Sequence, residues 1–205
     1  METYVFYKPF LLDDPAFLRG EEQRMKEDLK TLIEQNIAVN INGITLSSGK
    51  SSVFYYDLRK ISLDPIGVNL IADLILEEIR DARSVGGLEM GAIPITMGIL
   101  MKSGLKGFVV RKHAKDHGLK YKVEGNLESP AVVVDDVLTT GASLMKAIQA
   151  IKDEGVSLNG VFCILDREEN NELKKSHIKY TSLFKHSDFK PFIEAEIHRQ
   201  NTQKE

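Results

Sequence analysis

Residues 131–143 read Ala-Val-Val-Val-Asp-Asp-Val-Leu-Thr-Thr-Gly-Ala-Ser, and each part of that run has a chemical use. The β-branched residues Val132, Val133 and Val134 favour a buried strand, which delivers Asp135 and Asp136 to its carboxyl end. Ligands of α/β folds bind at that end. Two adjacent carboxylates can accept hydrogen bonds from a pair of vicinal hydroxyls, or help hold a magnesium ion. Thr139, Thr140, Gly141, Ala142 and Ser143 then turn into a helix start. The glycine lets successive N–H groups converge, the hydroxyls add donors, and the helix N-terminus adds partial positive charge. That combination suits a phosphate monoester, so the unit as a whole suits a ribose 5-phosphate. A lone acidic pair before a capped helix is more often only a strand end with a Thr or Ser cap. The complete run is what points to a ligand.

Four other segments carry candidate groups. Arg111-Lys-His-Ala-Lys-Asp-His-Gly opens a charged stretch, with Lys112, Lys115, Lys120 and Lys122 and no helical or strand period. By itself such a stretch reads as a solvated loop, but its cations could also close as a lid over a leaving anion. Residues 46–57 hold a Ser/Gly/Lys turn followed by Phe54, Tyr55 and Tyr56, which fit ordinary strand packing or an aromatic wall. The glycines of residues 86–94 would let the backbone approach an anion closely. Arg167, after the apolar run 158–165, offers a planar fork that matches a carboxylate. Neither G-x-x-x-x-G-K-[ST] nor G-x-G-x-x-G occurs.

The elements that must position these groups follow from periodicity. Residues 15–35 read as a polar-rich helix with Phe17, Met25, Leu29 and Leu32 at helical spacing. Extended segments over 38–46 and 53–59 follow. From Asp64 onward helix and strand alternate, with helices over 66–80, 93–102 and 141–153 and strands over 84–88, 107–110, 131–135 and 158–165. A last strand over 180–184 and a helix over 189–199 close the chain. Continuous apolar strands between amphipathic helices predict a parallel sheet covered on both faces. The expected division is 1–63 for an N-terminal helix and hood segment, 64–168 for the core, and 169–205 for a strand and helix completing both.

Composition narrows the function classes. The 205 residues carry 27 basic and 30 acidic side chains, a formal charge of -3, which does not suit a surface built to track nucleic acid. The one cysteine, Cys163, cannot form an intrachain disulfide and lies in an apolar run, so it reads as core. No signal-peptide pattern and no membrane-length apolar run is present, and a cytoplasmic location is expected. His177, His186 and His198 lack metal-ligand spacing and read as surface or packing residues.

The 131–143 run closely resembles the signature of the type I phosphoribosyltransferases, which bind phosphoribosyl pyrophosphate. The fold this implies is α/β: a Rossmann-like parallel sheet flanked by helices, with a small hood. It implies that Asp135 and Asp136 contact the ribose hydroxyls, and that Val137, Leu138, Thr139, Thr140, Gly141, Ala142 and Ser143 wrap the 5′-phosphate. R-K-x-A-K-D-H-G is similar to the catalytic loop of orotate phosphoribosyltransferases, where the loop crosses a dimer interface into the neighbouring site. Carried over, Arg111, Lys112, Lys115 and His117 contact the pyrophosphate, with Lys115, His117, Asp135 and Asp136 catalytic. Residues 48–57 resemble the S-G-x-x-S-x-x-Y-x-D hood segment, which sets Tyr55 and Tyr56 beside the pyrimidine. Thr139 and Arg167 complete the implied orotate contacts, and residues 86–94 are similar to the pyrophosphate loop. The resemblance spans roughly residues 43–168.

It further implies pyrimidine synthesis, a homodimer, and magnesium as cofactor, held mainly by substrate oxygens, with Asp135 or Asp136 reaching it through water. The implied partners are the two small-molecule substrates, with no nucleic acid and no membrane. Ser47 and Met90 stand where some members carry lysine, which leaves more of the pyrophosphate charge to the lid and the metal. Two other readings stay open: transfer to a purine base or uracil, which Arg167 argues against, and a nucleic-acid-reading regulator, which would want a basic face.

Overall fold

A computed structural model of the chain describes residues 15–45, 51–112 and 122–203, with side chains from residue 19 onward. The turn at 47–50 and the lid residues Lys115, His117 and Lys120 lie outside the described residues.

Six strands form the central sheet: β3 (Ser84–Leu88), β4 (Lys106–Val110), β5 (Val123–Gly125), β6 (Ala131–Leu138), β7 (Leu158–Asp166) and β8 (Thr181–Lys185). Their spatial order is β5-β4-β3-β6-β7-β8. Every pairing is parallel except the one between β4 and β5. The apolar run of β6 sits near the middle, where both faces need covering. Successive side chains of a strand point to opposite faces, and Val132 and Val134 accordingly enter one core cluster while Val133 enters the other. The first cluster takes helices α1 (Pro15–Gln35), α3 (Pro65–Glu78), α4 (Ala92–Lys102) and α7 (His186–Thr202) through Leu29, Ile71, Ile95 and Phe189. The second takes α5 (Ala142–Asp153) through Leu144 and Ile148, and the short α6 (Glu172–Lys175) through Leu173. Each such fully buried side chain stabilises the sheet by about 1.5–3 kcal/mol. Cys163 is fully buried in the second cluster, as its apolar surroundings require.

A separate antiparallel hairpin, β1 (Ile37–Thr45) and β2 (Ser51–Tyr56), stands outside the sheet. It is clasped to α7 by Gln200, whose Nε2 donates to the Val39 carbonyl at 2.8 Å and whose Oε1 accepts from Ile41 N–H at 3.3 Å. The helix α3 starts as its sequence demands: Asp64 accepts from Ile66 and Gly67 N–H, and Pro65 occupies the first turn where no donor is needed.

Several boundaries differ from the periodicity. The second extended segment stops at Tyr56, and Leu58–Ser62 forms α2, because Leu58 and Ile61 bury together at helical rather than strand spacing. The charged stretch contains β5, too short and polar to show alternation. The helix α7 begins at His186 rather than Phe189, with the Asp188 carboxylate accepting from Lys185 N–H. The strand β6 runs past Asp135 to Leu138, so the acidic pair lies within its last turns of register and not beyond them. Among the described residues no helix is long and apolar enough to cross a membrane.

Candidate active site

The site begins at Gly91. A side-chain carbon built there would lie 2.6 Å from an Asp136 carboxylate oxygen and 2.7 Å from one of Asp135. Both carboxylates therefore converge on one glycine at the sheet's carboxyl edge, and only glycine leaves them room. Gly86 and Gly87 serve another purpose: they lie in β3 and pack against Phe108 and against Val134 and Ala92, so strand packing explains them and anion approach does not.

The two acids are unequal. Asp135 is 7% exposed, and Asp136 is half-buried. Burial, and then the negative charge of Asp136, push the Asp135 carboxyl up to about 8, with Lys112 pulling the other way. Backbone donors also tie the pair: Asp136 N–H donates to Asp135 at 3.0 Å and Val137 N–H to Asp136 at 2.8 Å.

The loop beyond is fixed by a left-handed glycine. Gly141 has φ of 81°, and an added methyl would meet Leu173 at 2.9 Å. No side chain caps α5; the Thr140 hydroxyl accepts only weakly from Ala142 N–H, at 3.4 Å. The N-terminus of α5 therefore keeps donors facing the loop, as an anion cradle needs. Leu138 is the exception in this run, since its side chain is core and its carbonyl is taken by Arg167 N–H at 2.9 Å. A matching bond joins Glu172 N–H to the Thr140 carbonyl at 2.8 Å. Because β6 and β7 pair with Leu138 opposite Asp166, these links set Arg167 beside the loop.

Arg167 meets the hairpin. Its guanidinium carbon lies 5.1 Å from the Phe54 ring centre and 5.6 Å from that of Tyr56. Among the described residues its ion pair is with Glu169, long at 3.8 Å. The segment carrying it is pinned by buried Asp166, which accepts from Glu168 N–H and from the Tyr180 hydroxyl, and by Glu168 itself, which accepts from Ser187 N–H. Strand alternation puts Phe54 and Tyr56 on one face of β2 and Tyr55, exposed, on the other. The expected pairing of Tyr55 with Tyr56 is thus not what the fold brings to Arg167; Phe54 takes that place. His186, read from the sequence as surface or packing, joins this group, while His177 and His198 are exposed.

At the start of the charged stretch Arg111 is held by Glu89 at 2.9 Å and Glu124 at 3.6 Å, and Lys112 N–H donates to Glu89 at 2.8 Å. The guanidinium of Arg111 is thereby drawn to the sheet edge rather than toward Asp135. Lys112 is the cation of the two whose charge is felt there. Phe54 belongs to the aromatic segment and Gly91 to the glycines of 86–94, whereas His186 and Glu89 carry no signal of type or spacing.

A parallel sheet ending in paired acids, followed by a glycine-turned loop into an uncapped helix, defines a phosphoribosyltransferase of type I. No protein-family profile matches the chain. It is similar to orotate phosphoribosyltransferase of Rhodopseudomonas palustris strain TIE-1, 40% identical over 161 residues, covering 71% of this chain and 86% of that protein. The Aquifex aeolicus orotate phosphoribosyltransferase is 42% identical over 154 residues, covering 70% and 84%. Among solved structures, orotate phosphoribosyltransferase of Mycobacterium tuberculosis H37Rv in complex with 5-phospho-α-D-ribosyl 1-diphosphate superposes with a TM-score of 0.67 at 30% identity, covering 80% of this chain and 98% of that one. The chain belongs to the orotate phosphoribosyltransferase family.

Proposed function

We propose that this protein transfers the 5-phosphoribosyl group of phosphoribosyl pyrophosphate to orotate, giving orotidine 5′-phosphate and pyrophosphate in pyrimidine synthesis. The observation that carries the reading is the adjacency of two sites at the tops of β6 and β7. A paired-acid and amide cradle fits ribose 5-phosphate, and beside it Arg167 on its aromatic shelf fits a planar, carboxylate-bearing base. Arg167 favours orotate over uracil or a purine, since a guanidinium fork left without its carboxylate is a poor match.

Loss of pyrophosphate from C1 of the ribose leaves oxocarbenium character, so the chain's task is electrostatic and positional. Asp135 and Asp136 hold the ribose hydroxyls, and the charge of Asp136 favours the developing positive charge. The amides and hydroxyls of 139–143 grip the 5′-phosphate, Val137 and Leu138 contributing backbone only. Arg167 with Tyr56, and Thr139 at the loop's entrance, orient the base nitrogen toward C1. Arg111, Lys112, Lys115 and His117 neutralise the leaving pyrophosphate, some of them from a partner subunit of a homodimer, and no covalent nucleophile is needed. Residues 64–168 make up the transferase core, residues 1–63 an N-terminal helix and hood segment, and residues 169–205 a strand and helix that complete both. The setting is the cytoplasm.

The donor set fits magnesium only as an ion carried by substrate. Among the described residues no group of three or more acidic, histidine or cysteine side chains could hold a metal. Asp135 and Asp136 would reach such an ion through water, consistent with its preference for retained waters and phosphate oxygens. Bound there, magnesium would neutralise pyrophosphate charge.

The test is direct: with magnesium and phosphoribosyl pyrophosphate, the ultraviolet absorbance of orotate falls, and uracil or adenine in its place is not consumed. Consumption of another base and not orotate would overturn the reading.

A further inference from the structure

His186 opens α7, 130 residues from Tyr56 in sequence, yet its Nδ1 lies 2.8 Å from the Tyr56 hydroxyl. Its ring also stacks on Phe54, with centroids 5.1 Å apart and planes 14° apart. These are the two rings on which the Arg167 guanidinium rests. One imidazole thus ties together both halves of that support. Burial raises the Tyr56 phenol well above its ordinary range, outweighing the opposing pull of Arg167, so the phenol keeps its proton. The imidazole tautomer sets which group donates in this bond, and a neutral ring with its hydrogen on Nε2 lets the phenol donate to His186 Nδ1.

We propose that His186 is a positioning residue for base recognition: its neutral imidazole, bonded to Tyr56 and stacked on Phe54, fixes the shelf that aims Arg167 at the orotate carboxylate. The inference rests on the orotate reading above. Without the shelf, Arg167 would be restrained by little more than its 3.8 Å contact with half-exposed Glu169, and such a pair orders a side chain poorly. A neutral ring also adds no second positive charge beside Arg167. Protonation would turn Nδ1 from acceptor to donor, disturbing its bond to Tyr56, and would set a second cation beside Arg167.

The surrounding charges keep the ring neutral. Burial lowers the His186 pKa most, then Arg167 from the β7 loop and Lys190 from α7, while Glu168 and Glu169 raise it. Tyr56 faces it from the hairpin, and Lys185 and Asp188 flank it at the helix start. A depressed folded pKa means that the ring charges only at pH below the usual histidine range. The affinity for orotate should therefore weaken on the acid side.

Steady-state Michaelis constants for both substrates, measured across about pH 5 to 8, test this. His186→Ala should raise the orotate constant about tenfold and leave that of phosphoribosyl pyrophosphate unchanged. His186→Asn keeps a planar group and an oxygen that accepts from Tyr56. It should restore the orotate constant to within about threefold of the natural protein and abolish its acid-side rise. The proposal is overturned if His186→Ala moves neither constant or both equally, or if folded His186→Asn retains the acid-side rise. A natural protein that consumes no orotate would instead remove the parent reading; orotate turnover indifferent to residue 186 removes this one alone.

Discussion

The acidic tip of β6 and the aromatic shelf around Arg167 are neighbours in space but were assembled in opposite ways. The first is built from one continuous run, 135–143, whose spacing is also its geometry: strand, glycine turn, helix start. The second needs β2, the loop after β7 and the first turn of α7, joined across 130 residues by the Tyr56–His186 bond. A site made of contiguous backbone survives loss of a distant side chain. A site made of stacked side chains from three elements does not, so the two should respond differently to substitution.

The largest expected effect sits at the tip. Asp136→Asn keeps the shape and the Val137 N–H bond through its amide oxygen, but removes the charge that favours an oxocarbenium-like ribose. Turnover should fall about 100-fold or more with circular dichroism and melting temperature near those of the natural protein. Unaltered kinetics would deny the tip its role. Next comes the shelf: Arg167→Ala should raise the orotate Michaelis constant about 10- to 100-fold while that of phosphoribosyl pyrophosphate moves little. Equal changes in both would mean that the two regions act as one.

That contrast also explains what the sequence made legible. The sheet, its helices and the acid-to-loop run could be read because apolar alternation and a glycine turn are local signals. Val132 to Val134 had to be a two-faced buried strand whatever surrounded it. The inequality of Asp135 and Asp136 was not legible, because it depends on how far the folded layers cover each face of β6 at its end. Tyr55 was grouped with Tyr56 by adjacency, although a strand's two-residue period pairs Tyr56 with Phe54. His186 had no signal at all: a lone histidine at the start of an amphipathic helix acquires meaning only when β2 is folded against it. Arg111 likewise acquires its partners Glu89 and Glu124 only when β5 is folded beside β4.

Asp135 gives a prediction about stability instead of rate. Its folded pKa, about 8, exceeds the ordinary 3.8, so the native state holds a proton that the unfolded chain has released. Its contribution is complete below the unfolded value and is lost as pH rises through the window up to the folded value. In magnesium-free buffer, Asp135→Asn should lack this loss, and its denaturation midpoint relative to the natural protein should climb as the pH is raised from 5 toward 9, by about 1 kcal/mol or more in stability. Parallel pH profiles for the two proteins would show that Asp135 is solvated and charged. The same variant should be impaired in turnover, which sets the tip's function against its stability.

The smallest effect sharpens the comparison most. Tyr55 and Phe54 are adjacent and aromatic, but β2 turns them to opposite faces, Phe54 against Arg167 and His186, Tyr55 37% exposed on the other side. Tyr55→Ala should change the orotate Michaelis constant by no more than about twofold, within the range of a surface substitution, while Phe54→Ala should raise it about tenfold by removing the ring that supports the guanidinium. Adjacency in sequence predicts similar losses; strand geometry predicts that only one matters. If Tyr55→Ala proves the more damaging, the hairpin presents its other face to the base, and the shelf is not where orotate binds.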